Sequence, residues 1–427
     1  MGHPFLRDGV DLGDAIMSLV MVLVSFVICL VATMLMVWFE RKVVSRLQNR
    51  IGPNVAGPFG LFQTLADGTK LFFKEDIIPT RSDRFVFQLA PYLALVPAFL
   101  TFTVVPIAGD FGGGADGSST LFGRTFYWQT ADVPVGILFF LAMSSLGIYG
   151  VMLAGWSSGS KYPLLGSVRA SAQGISYEAA LGLSLAAVIL VSGTLSTHDM
   201  VLNQAGGLTR WHVVATGFIP FVVFLIAGTA ELNRPPFDLV EAEQELVGGF
   251  HTEYSSIRFA LFFLAEFMNT VTMGAIIVTL FFGGPAPLFD IPGITFADFL
   301  GPFVGLALFF IKLLVFLFVF VWFRATLPRL RYDQLMDLGW KLLIPLSLGW
   351  LLVLAGIRVA QDGNFGVFDS TGGDVVLAVL VGLVGLALMA ALVLKAVANA
   401  RDERLAEAGL RLHAAPELVH TDDEGGH

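Results

Sequence analysis

The stretch AIMSLVMVLVSFVICLVATMLMVW, residues 15–38, contains no charged side chain. A helix crosses the hydrocarbon core of a bilayer with about 20 apolar residues, so this run is long enough by itself. Runs of similar character follow at 86–107, 133–155, 173–192, 212–230, 257–282, 303–323, 342–359 and 375–395. Charged residues make up 14% of the chain, where a soluble domain has about 25%. That leaves too little polar surface to coat a water-soluble globule of 427 residues. Alternation of apolar and polar residues over strand-length segments, the mark of a membrane β-barrel, is missing. The expected fold is an all-α polytopic membrane protein of about nine transmembrane helices, with interfacial amphipathic helices in its loops. The first run lacks a basic leader and a small-residue cleavage site, and it reads as a retained helix, not a signal peptide. The only cysteine, Cys29, lies inside that run, which excludes a disulfide framework. One Cys with seven scattered His gives no zinc-site spacing. Nucleic-acid binding has no support.

Twenty of the 25 Lys and Arg residues fall on one side of this helix pattern and four on the other, with Lys312 inside a span. Basic loops stay in the cytoplasm. The expected N-terminus is therefore outside, the C-terminus cytoplasmic, and the loops 39–85, 231–256 and 324–341 cytoplasmic. Residues 1–360 form an eight-span core. Residues 361–427 add a span at about 375–395 and a polar, disordered tail. No internal repeat is visible.

Each cytoplasmic loop is unusual. In the first, Phe59, Phe62, Leu65, Ala66, Phe72 and Phe73 recur at helical spacing, with Gln63, Asp67, Lys70 and Lys74 on the other face. Such a segment lies in the membrane interface, as a plain anchor or as the frame of an entrance for a lipid-soluble substrate. The second loop sets Glu231, Asp238, Glu241, Glu243, Glu245 and Glu253 against one cation, Arg234. Like charges in a poorly solvated place raise carboxyl pKa values, which suits proton relay or a cation site; a solvated acidic loop is the bland alternative. Arg234 is expected to favour ionisation of Glu231 or Glu241. The third loop brings Arg324, Arg329 and Arg331 to the membrane edge, as a positive-inside anchor or a docking site for an acidic partner. Within the spans stand Glu178, Glu266 and Lys312. A charge there costs at least about 2.5–3.5 kcal/mol, which favours a functional reason. At 1.5 Å per residue Glu178 is expected about 8 Å deep and Glu266 about 14 Å, near the midplane.

Long composite motifs run through these loops: Glu40-Arg-Lys, Arg50-Ile-Gly-Pro-Asn, Ala66-Asp-Gly-Thr-Lys-Leu, the stretch 231–254, and Arg324-Ala-Thr-Leu-Pro-Arg-Leu-Arg-Tyr-Asp-Gln-Leu-Met. In this order they resemble the quinone-chamber membrane subunit, the H subunit, of NADH:quinone oxidoreductase, respiratory complex I. The resemblance covers the eight-span core and gives no role to the ninth span or the tail. It implies a chain without a redox centre of its own. Iron–sulfur clusters and FMN would sit in partner subunits, and a quinone, ubiquinone or menaquinone, would be the substrate. It implies a place in a bacterial inner (plasma) membrane beside other membrane-arm subunits. Peripheral-arm subunits would complete a quinone chamber at which Arg41, Phe59, Phe62, Asp67 and Lys70 stand. Glu178, Glu231, Arg234, Glu241, Glu243, Glu253 and Glu266 would belong to an acidic channel that couples quinone reduction to proton translocation. Two rival classes are a stand-alone transporter or proton channel, which should show repeats and broken helices, and a structural anchor, which has no need of Glu178 and Glu266.

The charge asymmetry generates a direct test. A Lys74→Cys variant in oriented vesicles should react with an impermeant thiol reagent from the cytoplasmic side. Reaction only from the outer side would reverse the topology.

Overall fold

The structure, a computed structural model, describes residues 12–111, 115–121, 124–239, 247–287, 301–362, 383–385, 387–388 and 391. In chain order its elements are α1 (Leu12–Leu47), α2 (Gln63–Phe73), α3 (Arg84–Phe102), β1 (Ser118–Leu121), β2 (Arg124–Tyr127), α4 (Gly136–Ser157) and α5 (Lys161–Ser192). Then come α6 (Thr197–Gln204), α7 (His212–Ala215), α8 (Ile219–Glu231), α9 (Ser256–Phe281), α10 (Gly301–Thr326), α11 (Tyr332–Asp337) and α12 (Ile344–Asp362), with a π-helical turn, Leu338–Leu343, joining the last two. Among the described residues seven helices are long and apolar enough to cross a membrane, and α8 is a shorter apolar helix. The chain is a multi-pass, all-α membrane protein. The expected ninth span, 375–395, lies almost wholly outside the described residues.

Local chemistry sets the helix ends. The Asp83 carboxylate accepts the backbone N–H groups of Phe85 and Val86 at 3.1 and 3.3 Å, capping α3. Helix α1 has 36 residues, about 54 Å at 1.5 Å each, against a hydrocarbon core of about 30 Å. It is longer than the core it has to cross, and Glu40 and Arg41 lie in its last two turns. Helices α3 and α4 touch backbone to backbone at Gly150, where a Cβ atom would come within 2.7 Å of the Ala94 nitrogen. Helix α5 lies against α4, α8 and α12.

Three differences from the sequence reading have local causes. The apolar run 212–230 is not one helix. It breaks at Gly217 and Phe218, whose φ angles are +82° and +66°. The freed Thr216 carbonyl accepts the indole N–H of Trp350 on α12 at 2.7 Å. Helix α2 begins at Gln63 and not at Phe59, because residues 58–60 form a 3-10 turn in which Phe59 has φ +56°. Between α3 and α4 lies an unanticipated hairpin, with Ser118 paired to Tyr127. His198 braces it by hydrogen bonding to the Asp116 carbonyl at 3.0 Å, and burial holds this imidazole below its ordinary pKa.

The three loops marked by their charge meet at one end of the bundle. Ser256 donates to the Lys74 carbonyl at 2.7 Å, and Arg258 pairs with Asp76 at 3.2 Å. Leu330 N–H bonds the Pro236 carbonyl at 3.1 Å, and Arg329 pairs with Asp238 at 3.0 Å. On α2 the apolar face is bare of this chain: Phe62, Phe72 and Phe73 are all exposed.

Candidate functional site

At that loop end, one carboxylate gathers two arginines from distant parts of the chain. Glu40, two turns before the end of α1, is buried. One of its oxygens accepts a hydrogen bond from Arg234 Nη1 at 2.8 Å. The other pairs with Arg324, two residues before the end of α10. Arg234 follows the end of α8, where the chain turns through Asn233 at φ +51°. Its Nε lies 3.1 Å from Glu266 Oε1 on α9, and its guanidinium covers the Phe267 ring at 4.2 Å. Arg234 thus contacts two carboxylates and one aromatic face. Replacing it would leave the buried Glu40 with Arg324 alone.

Two hollows flank this knot. A cavity of about 270 Å³ is lined by Glu231, Arg234, Glu266, Asn269, Thr272 and Arg324, among others. A crevice of about 340 Å³ is lined by Glu40, Arg41, Arg50 and Arg324 with their neighbours. Arg324 belongs to both walls. The ion-paired cluster is therefore the partition between a hollow that opens among the loops and one that runs between α3, α4, α8 and α9.

Uncharged contacts set the frame. The Gln173 amide nitrogen on α5 reaches the Ala230 carbonyl at 2.7 Å, and the Asn233 side-chain oxygen and Phe237 carbonyl at 3.1 Å each. It fixes the turn that aims Arg234. Tyr254 stacks on Phe87 at 4.0 Å and donates to its carbonyl at 3.2 Å. Burial pushes this phenol up to about 12, so it remains a neutral donor. Among the described residues no group of His, Cys, Asp and Glu is arranged to hold a metal ion.

The NADH dehydrogenase family model matches residues 19–355. A protein of Frankia alni, named as the H subunit of NADH-quinone oxidoreductase, is 53% identical over 337 residues, covering 79% of this chain and 71% of that one. One of the same name from Streptomyces avermitilis is 46% identical over 375 residues, covering 85% and 80%. Another, from Cutibacterium acnes, is 45% identical over 384 residues, covering 85% and 83%. The chain belongs to the family of NADH-quinone oxidoreductase H subunits.

In this family member the residues expected at the site fall into groups. Arg41 pairs with Asp67 at 2.5 Å, tying α1 to α2, and Gln63 donates to the same carboxylate at 3.0 Å. Phe59, Phe62 and Lys70 are exposed beside them. Glu231, Arg234 and Glu266 line the cavity together. Glu178 accepts from Ser145 on α4 and is an electrostatic neighbour of Glu231. Glu231 Oε2 is buried with no hydrogen-bond partner among the described residues. Glu253 lies in the turn before α9 and lines neither hollow. Glu241 and Glu243, like Glu245, lie outside the described residues.

One expectation needs correction. Arg234 is expected to serve Glu231 or Glu241, its neighbours in sequence, but it pairs with Glu40 and Glu266. The chain turns after α8 and brings the guanidinium to α1 and α9. Glu266 stands ten residues into the 26-residue helix α9.

Sequence reasoning missed Glu40, although a signal was there: an acid at the end of an uncharged span, directly before Arg41 and Lys42. Gln173 gave none. Replacing Gln173 by Leu removes a donor from two buried carbonyls, at about 1–3 kcal/mol. The thermal midpoint of the purified complex should fall accordingly. An unchanged midpoint would show that this amide does not hold the turn.

Proposed function

We propose that this chain is the membrane subunit of a proton-pumping NADH-quinone oxidoreductase. In this reading it walls the quinone chamber where the membrane and peripheral arms join, and passes the electrostatic effect of quinone reduction into the membrane. It contributes no redox centre. The FMN and iron–sulfur clusters belong to partner subunits, and the chain sits in a bacterial inner membrane with its loop end toward the cytoplasm. Residues 1–360 do this work, while 361–427 extend beyond the matched family region.

The observation that carries the proposal is the bridge made by Arg234. Glu40, on one side of it, lines the same crevice as Arg41, and Arg41 is tied to Asp67 on the aromatic helix α2. Glu266, on the other side, lines the internal cavity with Glu231. A quinone taking up electrons at the α2 face must also take up protons. A change of charge or proton occupancy there alters the pull on Arg41 and Glu40, and hence on Arg234. Arg234 in turn has Glu266 as its second carboxylate, so a weaker hold at one end strengthens the other. Glu231, with an unpartnered oxygen, and Glu178, held by Ser145, are the groups placed to gain or lose a proton in response. Arg41, Phe59, Phe62, Asp67 and Lys70 form the chamber side. Glu178, Glu231, Arg234 and Glu266 form the channel side, to which we also assign Glu241, Glu243 and Glu253. The exposed aromatic face of α2 suits a lipid-soluble head group and the partner subunits that cover it.

Glu→Gln keeps side-chain shape and removes titration. Glu178→Gln, Glu231→Gln and Glu266→Gln should assemble and lose quinone-dependent NADH oxidation on the order of tenfold or more. Electron transfer to an artificial acceptor should stay intact, because it bypasses the membrane subunit. Wild-type turnover and wild-type proton-to-electron ratios in all three assembled variants would contradict the proposal.

A further inference from the structure

Lys312 has no part in that reading, although it is a charge in the middle of a span. It stands about 16 Å from the start of α10 and about 21 Å from its end, at 1.5 Å per residue. Its ammonium donates to the carbonyls of Phe282, Gly284 and Ala286 at 2.9, 2.8 and 2.8 Å. An ammonium has three N–H donors, so each has an acceptor. The Trp211 ring lies 5.1 Å from the nitrogen. Among the described residues no carboxylate takes part in these contacts, and three carbonyl oxygens solvate the positive charge.

The surroundings explain how the charge is held. The last carbonyls of a helix lack intrahelical partners and carry the negative end of its dipole. Helix α9 ends inside the protein, and side chains complete it. Thr279 O accepts from Gln204 at 2.9 Å, Leu280 O from His212 Nδ1 at 2.8 Å, and Phe282 O from Lys312. Gln204 in turn accepts the N–H groups of His212 at 3.2 Å and Gly283 at 3.0 Å. Gln204 and His212 are buried, and these hydrogen bonds tie the end of α6 and the start of α7 to the end of α9.

That polar seam creates a hazard for a proton-handling protein. The internal cavity reaches Thr272 on the same helix, and the Thr272 hydroxyl is buried with no partner among the described residues. From Thr272 to Thr279 is about 10 Å along the helix axis. A short file of water through the buried stretch between them would join the carboxylate cavity to Gln204 and His212, and so to the opposite end of the bundle. Fixed positive charge on a narrow path excludes protons and other cations.

We propose that Lys312 is a fixed positive charge that bars protons from crossing this protein between the carboxylate cavity and the opposite membrane face. The proposal rests on the reading of that cavity as the place where protons enter. The test uses the intact complex in liposomes with no NADH present, so that no turnover contributes. An imposed pH step is followed with an entrapped pH dye. Lys312→Met should dissipate the step several-fold faster than wild type, and Lys312→Arg, which keeps the charge, should remain tight. An assembled Lys312→Met complex as tight as wild type overturns the proposal. If Lys312→Met does not assemble, Lys312→Gln is measured instead. Failure of both to assemble assigns Lys312 to holding α9 alone and overturns the barrier role. Adding Glu231→Gln to the leaky variant separates the two readings. Restored tightness supports both. A leak that persists shows that protons enter elsewhere, which counts against the role given to Glu231 while leaving the barrier at Lys312 standing.

Discussion

Glu40 is the charge on which the loop end depends. Its carboxylate holds Arg234 from the end of α8 and Arg324 from the end of α10, while Arg234 also grips Glu266 on α9. The first helix and three consecutive later ones are fastened at one point. Ion pairs taken out of water gain little net stability, because desolvation offsets most of the attraction. Their value is in geometry. Once buried, each charge requires its partner, so the ends of α1, α8, α9 and α10 are held in a single register. The two hollows that share Arg324 as a wall exist because that register is fixed.

Sensitivity follows from the same arrangement. A charge set between two carboxylates responds to a change at either one, and in a poorly solvated site the response is not screened as it is at a surface. Glu40 faces the crevice beside Arg41, and Glu266 faces the cavity beside Glu231. The cluster therefore both closes the bundle and links its two hollows. The opposite half of the molecule is built in another way. There Gln204, His212 and Lys312 complete the end of α9 with two neutral donors and one cation, and among the described residues no acid takes part in those contacts.

Most of the helical architecture was legible because spans depend on uninterrupted apolar runs, and α1 shows this at its simplest. The break in the run 212–230 was not legible. Its residues stay apolar across the kink, and only the backbone angles at Gly217 and Phe218 and the indole of Trp350 reveal it. A broken helix was the feature that a stand-alone transporter would have shown, but here the freed carbonyl is taken by α12 and is not left open to a pathway. At the site, residue types were legible and pairings were not. Arg234 stands three residues from Glu231 in sequence, yet the turn after α8 points it away. Gln173 looked like an ordinary polar residue in a helix, because its three acceptors come from another segment.

The central claim is that Glu40 and Arg234 act as one coupled pair, and a double-mutant cycle measures that directly. Glu40→Gln, Arg234→Met and the double variant would be compared by the denaturant midpoint of the assembled complex. The account predicts a double variant much less damaged than the sum of the single ones, with a coupling energy of about 1.5 kcal/mol or more for a close buried charge pair. Effects that add within about 0.5 kcal/mol would contradict it, because the two side chains would then be neighbours without being partners.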